Sequence, residues 1–174
     1  MEAEPDGGSP GEEIRAELEA TREAYHALLD SLSEEDWKRA SGNPAWTVGQ
    51  VLVHMTVAPR MLPADVGMIR RGGWMPRLPA FLFNWSNVLM TRWMARKESI
   101  HTVGALYDAA HASALAVLDT IQDDEWELGR EYPDWDPMLS GHVTLERLFR
   151  YLKLHFEVHR EQVRQGLTGA APTS

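Results

Sequence analysis

Apolar residues recur at helical spacing along most of the chain. The first such stretch covers residues 11–32, and the second begins at Thr47. Thr47 and Gln50 match a capping box, in which each side chain accepts a hydrogen bond from the backbone N–H of the other residue. Pro59 and Pro63 lie within the second stretch, so we expect them to kink this helix or to divide it in two.

Two further helical stretches lie in the second half of the chain. They cover about residues 102–121 and 144–165, and Gly166 is expected just past the end of the last helix. Residues 131–141 predict a loop, and no part of the chain shows the pattern of a strand ladder. Four long helices in a chain of 174 residues predict an all-α fold, and more narrowly a four-helix bundle.

An additional apolar segment lies between the second and third of these helices. Residues 80–95 are rich in Trp, Phe and Met, but the segment is only 16 residues long and includes Asn84, Asn87 and Arg92. It is therefore too short and too polar for a membrane span. We expect a helix, or a helical lid, that packs on the core or in a dimer, with a ligand pocket as the alternative.

The two ends of the chain lack helical periodicity. Residues 1–10 predict a disordered tail, residues 11–166 one bundle domain, and residues 167–174 a flexible tail. No signal peptide is recognisable, and there is no cysteine, so a cytoplasmic location is expected. Without cysteine the chain has no disulfide, no thiolate metal site and no thiol nucleophile of its own. Any thiol chemistry would need a thiol from outside.

Charge is unevenly distributed along the chain. The net charge of −9 disfavours nucleic acid and anionic membranes as general partners. Residues 60–97 nevertheless contain seven basic residues against one acid, Asp65, which gives this segment a charge of about +6. The segment is either a helix surface that faces acidic neighbours or a local attractor for an anionic ligand.

Three histidines are the strongest indication of chemistry. His155 and His159 lie four residues apart, and therefore on one face of the last helix. The apolar members of this face predict that it points inward: Leu148, Tyr151, Leu152, His155, Val158, His159 and Gln162. His54 interrupts the apolar face of the second helix. If the two helices pack together, three imidazoles could bind one divalent ion, although a core histidine beside a chance pair would give the same pattern.

Three neutral imidazoles would leave coordination positions open to water or substrate, as in reactive metal sites. The ion would keep its full charge, and could make a bound water more acidic or hold a thiol as thiolate. Tyr151 and Gln162 could hydrogen-bond a ligand or a metal-bound water, and core or capping roles are equally open for both. His142, just before the last helix, could approach the mouth of the site.

Two segments resemble the DinB-like superfamily. Residues 144–166, TLERLFRYLKLHFEVHREQVRQG, resemble its last helix, and residues 45–55, AWTVGQVLVHM, resemble its second helix, which carries the first metal histidine. Helix order and spacing agree over roughly residues 11–166. The resemblance implies an up-up-down-down four-helix bundle, often dimeric, that binds a divalent ion such as zinc or nickel. By motif position, the ligands would be His54, His155 and His159.

The resemblance also implies a class of activity. Superfamily members of known activity include transferases and isomerases that use low-molecular-weight thiols such as mycothiol or bacillithiol. The leading hypothesis is thus a homodimeric, metal-dependent enzyme that activates an exogenous thiol or a water and acts on a small molecule. The alternatives are a metal-dependent hydrolase, with His142 or a carboxylate as base, and a non-catalytic module that binds an apolar ligand or partner through the Trp/Met-rich segment. That segment departs from the family pattern.

Overall fold

The computed structural model describes residues 9–72 and 79–169, which form six α-helices and one short β-hairpin. The all-α prediction is confirmed apart from this hairpin. The elements are α1 (Pro10–Asp30), α2 (Val48–His54), α3 (Val57–Arg70), α4 (Ala80–Ala95), α5 (Val103–Leu118), β1 (Gly129–Tyr132), β2 (Gly141–Thr144) and α6 (Leu145–Thr168).

The bundle is built from α1, the α2–α3 pair, α5 and α6. α1 and α3 each pack against both α5 and α6, and α2 packs against α6 and α4. The interior consists of two apolar clusters. The first includes Ile14, Val66 and Phe149, and the second is centred on Tyr25 and Phe156.

The histidines lie where these two clusters meet along the helices. On α6, Leu152 belongs to the first cluster and Phe156 to the second, and His155 lies between them in sequence. On the other side, His54 is the last residue of α2, between Val53 of the second cluster and the start of α3. The fold thus brings His54, His155 and His159 into the interior of the bundle.

The second predicted helix is divided in two, but not at a proline. α2 ends at His54, and the Thr56 hydroxyl donates a hydrogen bond to the carbonyl of Val53 at 2.8 Å. Pro59 is the third residue of α3, in the first turn, where a backbone N–H has no acceptor within the helix, so proline loses no hydrogen bond there. Pro63 lies inside α3. The break therefore precedes both prolines and leaves His54 at a helix end.

The helix ends agree only in part with the predicted limits. The capping box of Thr47 and Gln50 is confirmed. Ser9 caps α1 and Pro10 is its first residue, so neither belongs to a tail, while residues 1–8 and 170–174 lie outside the described residues. α6 continues to Thr168 and ends at Gly169, whose φ is +68°.

The expected role of Gly166 as the residue past this helix is wrong. Gly166 lies inside α6, where a Cβ would come within 2.4 Å of the carbonyl oxygen of Ala40. The glycine therefore permits a close approach between the helix and the segment before α2, and it does not end the helix.

The predicted loop at residues 131–141 is partly wrong, because its two ends belong to an antiparallel hairpin. Tyr132 of β1 pairs with Gly141 of β2, and the residues between them form the connection. Tyr132 and Val143 are buried in the first apolar cluster. Strands of four residues with so few apolar positions carry too little alternation to be recognised from sequence.

The apolar segment forms α4, as expected, and packs against α2. Of the side chains described for this helix, only that of Thr91 is buried, while the bulky apolar ones are largely exposed. Among the described residues, no helix combines the length and hydropathy needed to cross a bilayer.

Candidate metal centre

Three buried imidazoles converge inside the bundle. One ring nitrogen from each of His54, His155 and His159 lies within 4.8 Å of the other two. The Nε2 atoms of His54 and His155 are 3.2 Å apart, and the centroids of the three rings are separated by 4.4 to 5.0 Å. The predicted convergence is therefore observed, while metal binding itself stays a prediction.

Helix geometry explains this convergence. His155 and His159 are one turn apart on α6 and so share the face that packs against α2. His54 is the last residue of α2 and lies beside this face. The indole of Trp46, just before α2, lies against the His54 ring with centroids 4.3 Å apart, which limits the orientations open to that imidazole.

The spacing of the nitrogens suits a metal ion. Two nitrogens that each lie about 2.0–2.1 Å from a tetrahedral ion are roughly 3.3–3.4 Å apart. The separation of 3.2 Å between the Nε2 atoms of His54 and His155 is close to this value. Among the described residues, the donor set of this cluster is three histidines without a carboxylate, so an ion held here would keep open positions and its full charge.

Neighbouring side chains fix two of the rings. Nδ1–H of His159 donates to Oε1 of Gln162 at 2.9 Å, which leaves the lone pair on Nε2. Nδ1 of His54 lies 3.2 Å from the Thr91 hydroxyl oxygen. When Nδ1–H of His54 donates to that oxygen, the lone pair of this ring is likewise on Nε2. Such partners orient metal-binding histidines and set their tautomer. For Gln162, contact with a ligand or metal-bound water was one prediction and a core or capping role the other; in the structure its side chain contacts His159.

The three imidazoles are held neutral. Burial, and then the nearby His159, lowers the pKa of His54 to about 3. Burial and the two other histidines lower the pKa of His155 well below its usual value. Burial also lowers the pKa of His159, against the opposing effects of Gln162 and Asp136. Because metals bind the neutral ring, all three are in the ligand form at pH 7.

Tyr151 and an acid that sequence reasoning missed form one side of the centre. The Tyr151 ring lies 5.4 Å from that of His155, and its hydroxyl donates to the Asp136 carboxylate at 2.6 Å. Burial, followed by this hydrogen bond and the charge of Asp136, raises the pKa of Tyr151, which therefore stays protonated. Asp136 lies in the connection of the hairpin, and nothing in the sequence linked that connection to α6.

α4 is joined to the same connection. Phe83 of α4 stacks on Trp135 with centroids 4.6 Å apart and an interplanar angle of 8°. Together with the contact between Thr91 and His54, this stack places α4 beside the metal centre at two points. The expectation that the apolar segment covers the core as a lid fits these contacts. Thr91 itself could not be found from sequence, because nothing marked it as the buried residue of an exposed helix.

Two other titratable groups lie further out. Burial raises the pKa of Asp65 on α3 to about 6, although the charge of Arg130 and the hydroxyl of Tyr132 act to lower it. His142 lies on β2, where its side chain is exposed and its Nδ1 is 3.4 Å from the Glu131 carboxylate. His142 is not one of the three clustered histidines.

Comparison with known proteins identifies the family and a shared fold. The family model of the DinB superfamily matches residues 17–163. A solved structure of mycothiol-dependent maleylpyruvate isomerase, in a variant with one histidine replaced by alanine, superimposes with a TM-score of 0.67 at 10% identity. The match covers 90% of this chain but only 63% of the isomerase. No curated protein matches the chain.

Proposed function

The chain belongs to the DinB superfamily, and from this premise we propose that it is a metal-dependent enzyme whose ion is held by His54, His155 and His159. The observation that carries the proposal is the convergence of three buried, neutral imidazoles within 4.8 Å. Zinc or nickel suits such a set of nitrogen donors. When bound, the ion would supply Lewis-acid activation of a thiol or a water.

We propose that the activated group is an exogenous low-molecular-weight thiol, in a transferase or isomerase reaction on a small molecule. The chain has no cysteine, so the thiol must come from outside. The solved isomerase is named for its dependence on mycothiol, and this chain shares its fold. The protonated hydroxyl of Tyr151, held by Asp136, offers a polar group beside the centre for positioning a substrate. The homodimer and the cytoplasmic location remain predictions.

A water-activating hydrolase is the second candidate. The observation in its favour is Asp65, whose pKa of about 6 leaves the carboxylate mostly ionised at neutral pH. His142 is less suited as the base, because it is exposed and pairs with Glu131.

Elemental analysis of the purified protein tests the metal proposal. We expect about one zinc, nickel or similar ion per chain in the wild type and none in a variant with His54, His155 and His159 replaced by alanine. The matched control is His111→Ala, which removes a buried histidine of α5 outside the cluster and should retain the ion. Metal retained in the triple variant, or none in the wild type after soaking with zinc and nickel, would contradict the proposal.

Turnover assays then separate the two reactions. A thiol-dependent conversion of a test electrophile supports the transferase or isomerase. Hydrolysis of esters or amides without thiol supports the hydrolase, and in that case Asp65→Asn should lower the rate. A protein that binds no metal and shows neither activity would instead support the non-catalytic binding module.

A further inference from the structure

The outward face of α4 is apolar and exposed. Six bulky side chains lie along it at roughly helical spacing: Phe81, Leu82, Trp85, Leu89, Met90 and Trp93. Phe81, Trp85 and Trp93 are 70%, 64% and 57% exposed. The inward residues Phe83 and Thr91 already account for the contacts with the metal centre. The metal centre therefore does not account for the outward face, and exposed apolar patches of this kind mark interaction surfaces.

Positive charge borders this face. Arg96 and Lys97 are exposed directly after α4, and Nζ of Lys97 lies over the Trp93 ring at 4.8 Å from its centroid. Residues 66–97 contain no acid, within a chain of net charge −9. Apolar aromatic side chains beside cations are typical of helices that lie in the surface of an anionic bilayer. We propose that α4 docks this protein on an anionic phospholipid surface.

Length and charge both favour this partner. A helix of 16 residues is about 24 Å long, so α4 can lie along a bilayer surface but does not span it. In a two-fold symmetric dimer through the same face, two segments of like charge would oppose each other. The expectation that membranes are disfavoured came from the net charge of the whole chain. α4 and the two residues after it contain Arg92, Arg96 and Lys97 and no acid before Glu98, so the charge at this face differs in sign from that of the whole chain and favours anionic lipid.

Sedimentation with sucrose-loaded vesicles tests the proposal. We expect the full-length protein to bind vesicles of equal parts phosphatidylglycerol and phosphatidylcholine, and to bind phosphatidylcholine alone far more weakly. The double variant Phe81→Ser/Trp85→Ser should weaken partitioning roughly tenfold or more. The double variant Arg96→Ser/Lys97→Ser should weaken it roughly fivefold for each charge removed. The control Leu154→Ser, at an exposed position of α6, should bind as the wild type does.

Three results would overturn the proposal. They are no binding of the wild type to anionic vesicles, equal binding to neutral vesicles, and unchanged binding of both double variants. Light scattering adds a further check: a dimer that Phe81→Ser/Trp85→Ser dissociates, without vesicle binding, would overturn the proposal in favour of a self-association surface. Vesicle binding is measured independently of metal content, so failure of the metal proposal would be distinguishable from failure of this one.

Discussion

Burial of neutral histidines should make the metal-free protein less stable as the pH falls. His155 illustrates the effect, because burial and two neighbouring histidines lower its pKa in the folded state. In the unfolded chain its pKa returns to about 6.5. A histidine whose folded pKa is lowered contributes stability above the unfolded pKa, and this contribution is lost as the pH falls below about 6.5. We therefore choose His155→Gln as the perturbation, since glutamine does not titrate.

The expected magnitude follows from proton linkage. If His155 stays neutral in the folded state, it is protonated only in the unfolded chain as the pH falls. This lowers the free energy of unfolding by about 1.4 kcal/mol between pH 7.5 and 5.5. The corresponding effects of His54 and His159 act in the same direction in both proteins. Asp65 acts in the opposite direction, because its pKa is raised to about 6 in the folded state. These other effects largely cancel when the variant is subtracted from the wild type.

Urea unfolding at pH 7.5, 6.5 and 5.5, with chelator present, measures this difference. We expect the free energy of unfolding of the wild type to fall by about 1.4 kcal/mol more than that of His155→Gln over this range. Val163→Ala is the control, because it removes buried volume from the same helix without removing a titratable group. It should lower stability by a similar amount at every pH. Parallel pH curves for the wild type and His155→Gln would refute the reasoning.

Three further predictions concern residues that contact the histidines or a close backbone approach. Gln162→Leu should weaken zinc affinity roughly 10- to 100-fold in calorimetric titration, because Nδ1–H of His159 loses its acceptor, and unchanged affinity would contradict this. Thr91→Val should weaken it about tenfold through His54, with circular dichroism as the control for folding. Gly166→Ala should lower the free energy of unfolding by about 1–3 kcal/mol, because its Cβ would meet the Ala40 carbonyl, and wild-type stability would contradict that contact.

Sequence periodicity predicted the helices and the shared face of His155 and His159, and the resemblance to the DinB-like superfamily added His54 as the third member of the site. Residues four positions apart lie on the same face of a helix in any packing arrangement, which applies to His155 and His159. The remaining condition was that the helix carrying His54 packs against that face. The capping box at Thr47 was recognisable for a similar reason, since it depends on residues three apart. Local spacing was therefore enough for the helices, the capping box and the pair on the last helix, but not for His54.

Long-range contacts account for what the sequence did not predict. Gly166 looked like a helix end because glycine commonly follows one, but its close approach to Ala40 depends on how distant segments pack. Val158 was expected to face inward and is exposed, because the buried face of α6 follows positions such as Phe156 and Val163 instead. Asp136 reaches Tyr151 only because the hairpin folds back onto α6.

The separation of the three histidines along the chain has a consequence for the order of folding. His54 and His155 are 101 positions apart, and closing a loop of that length in an unfolded chain costs about 4 kcal/mol of entropy beyond a constant term. Packing of the helices offsets this entropy loss. Only then are the three rings close enough together to bind one ion. An ion held by all three histidines would thus bind after the helices have packed. It would lower the unfolding rate of the bundle more than it would raise the folding rate.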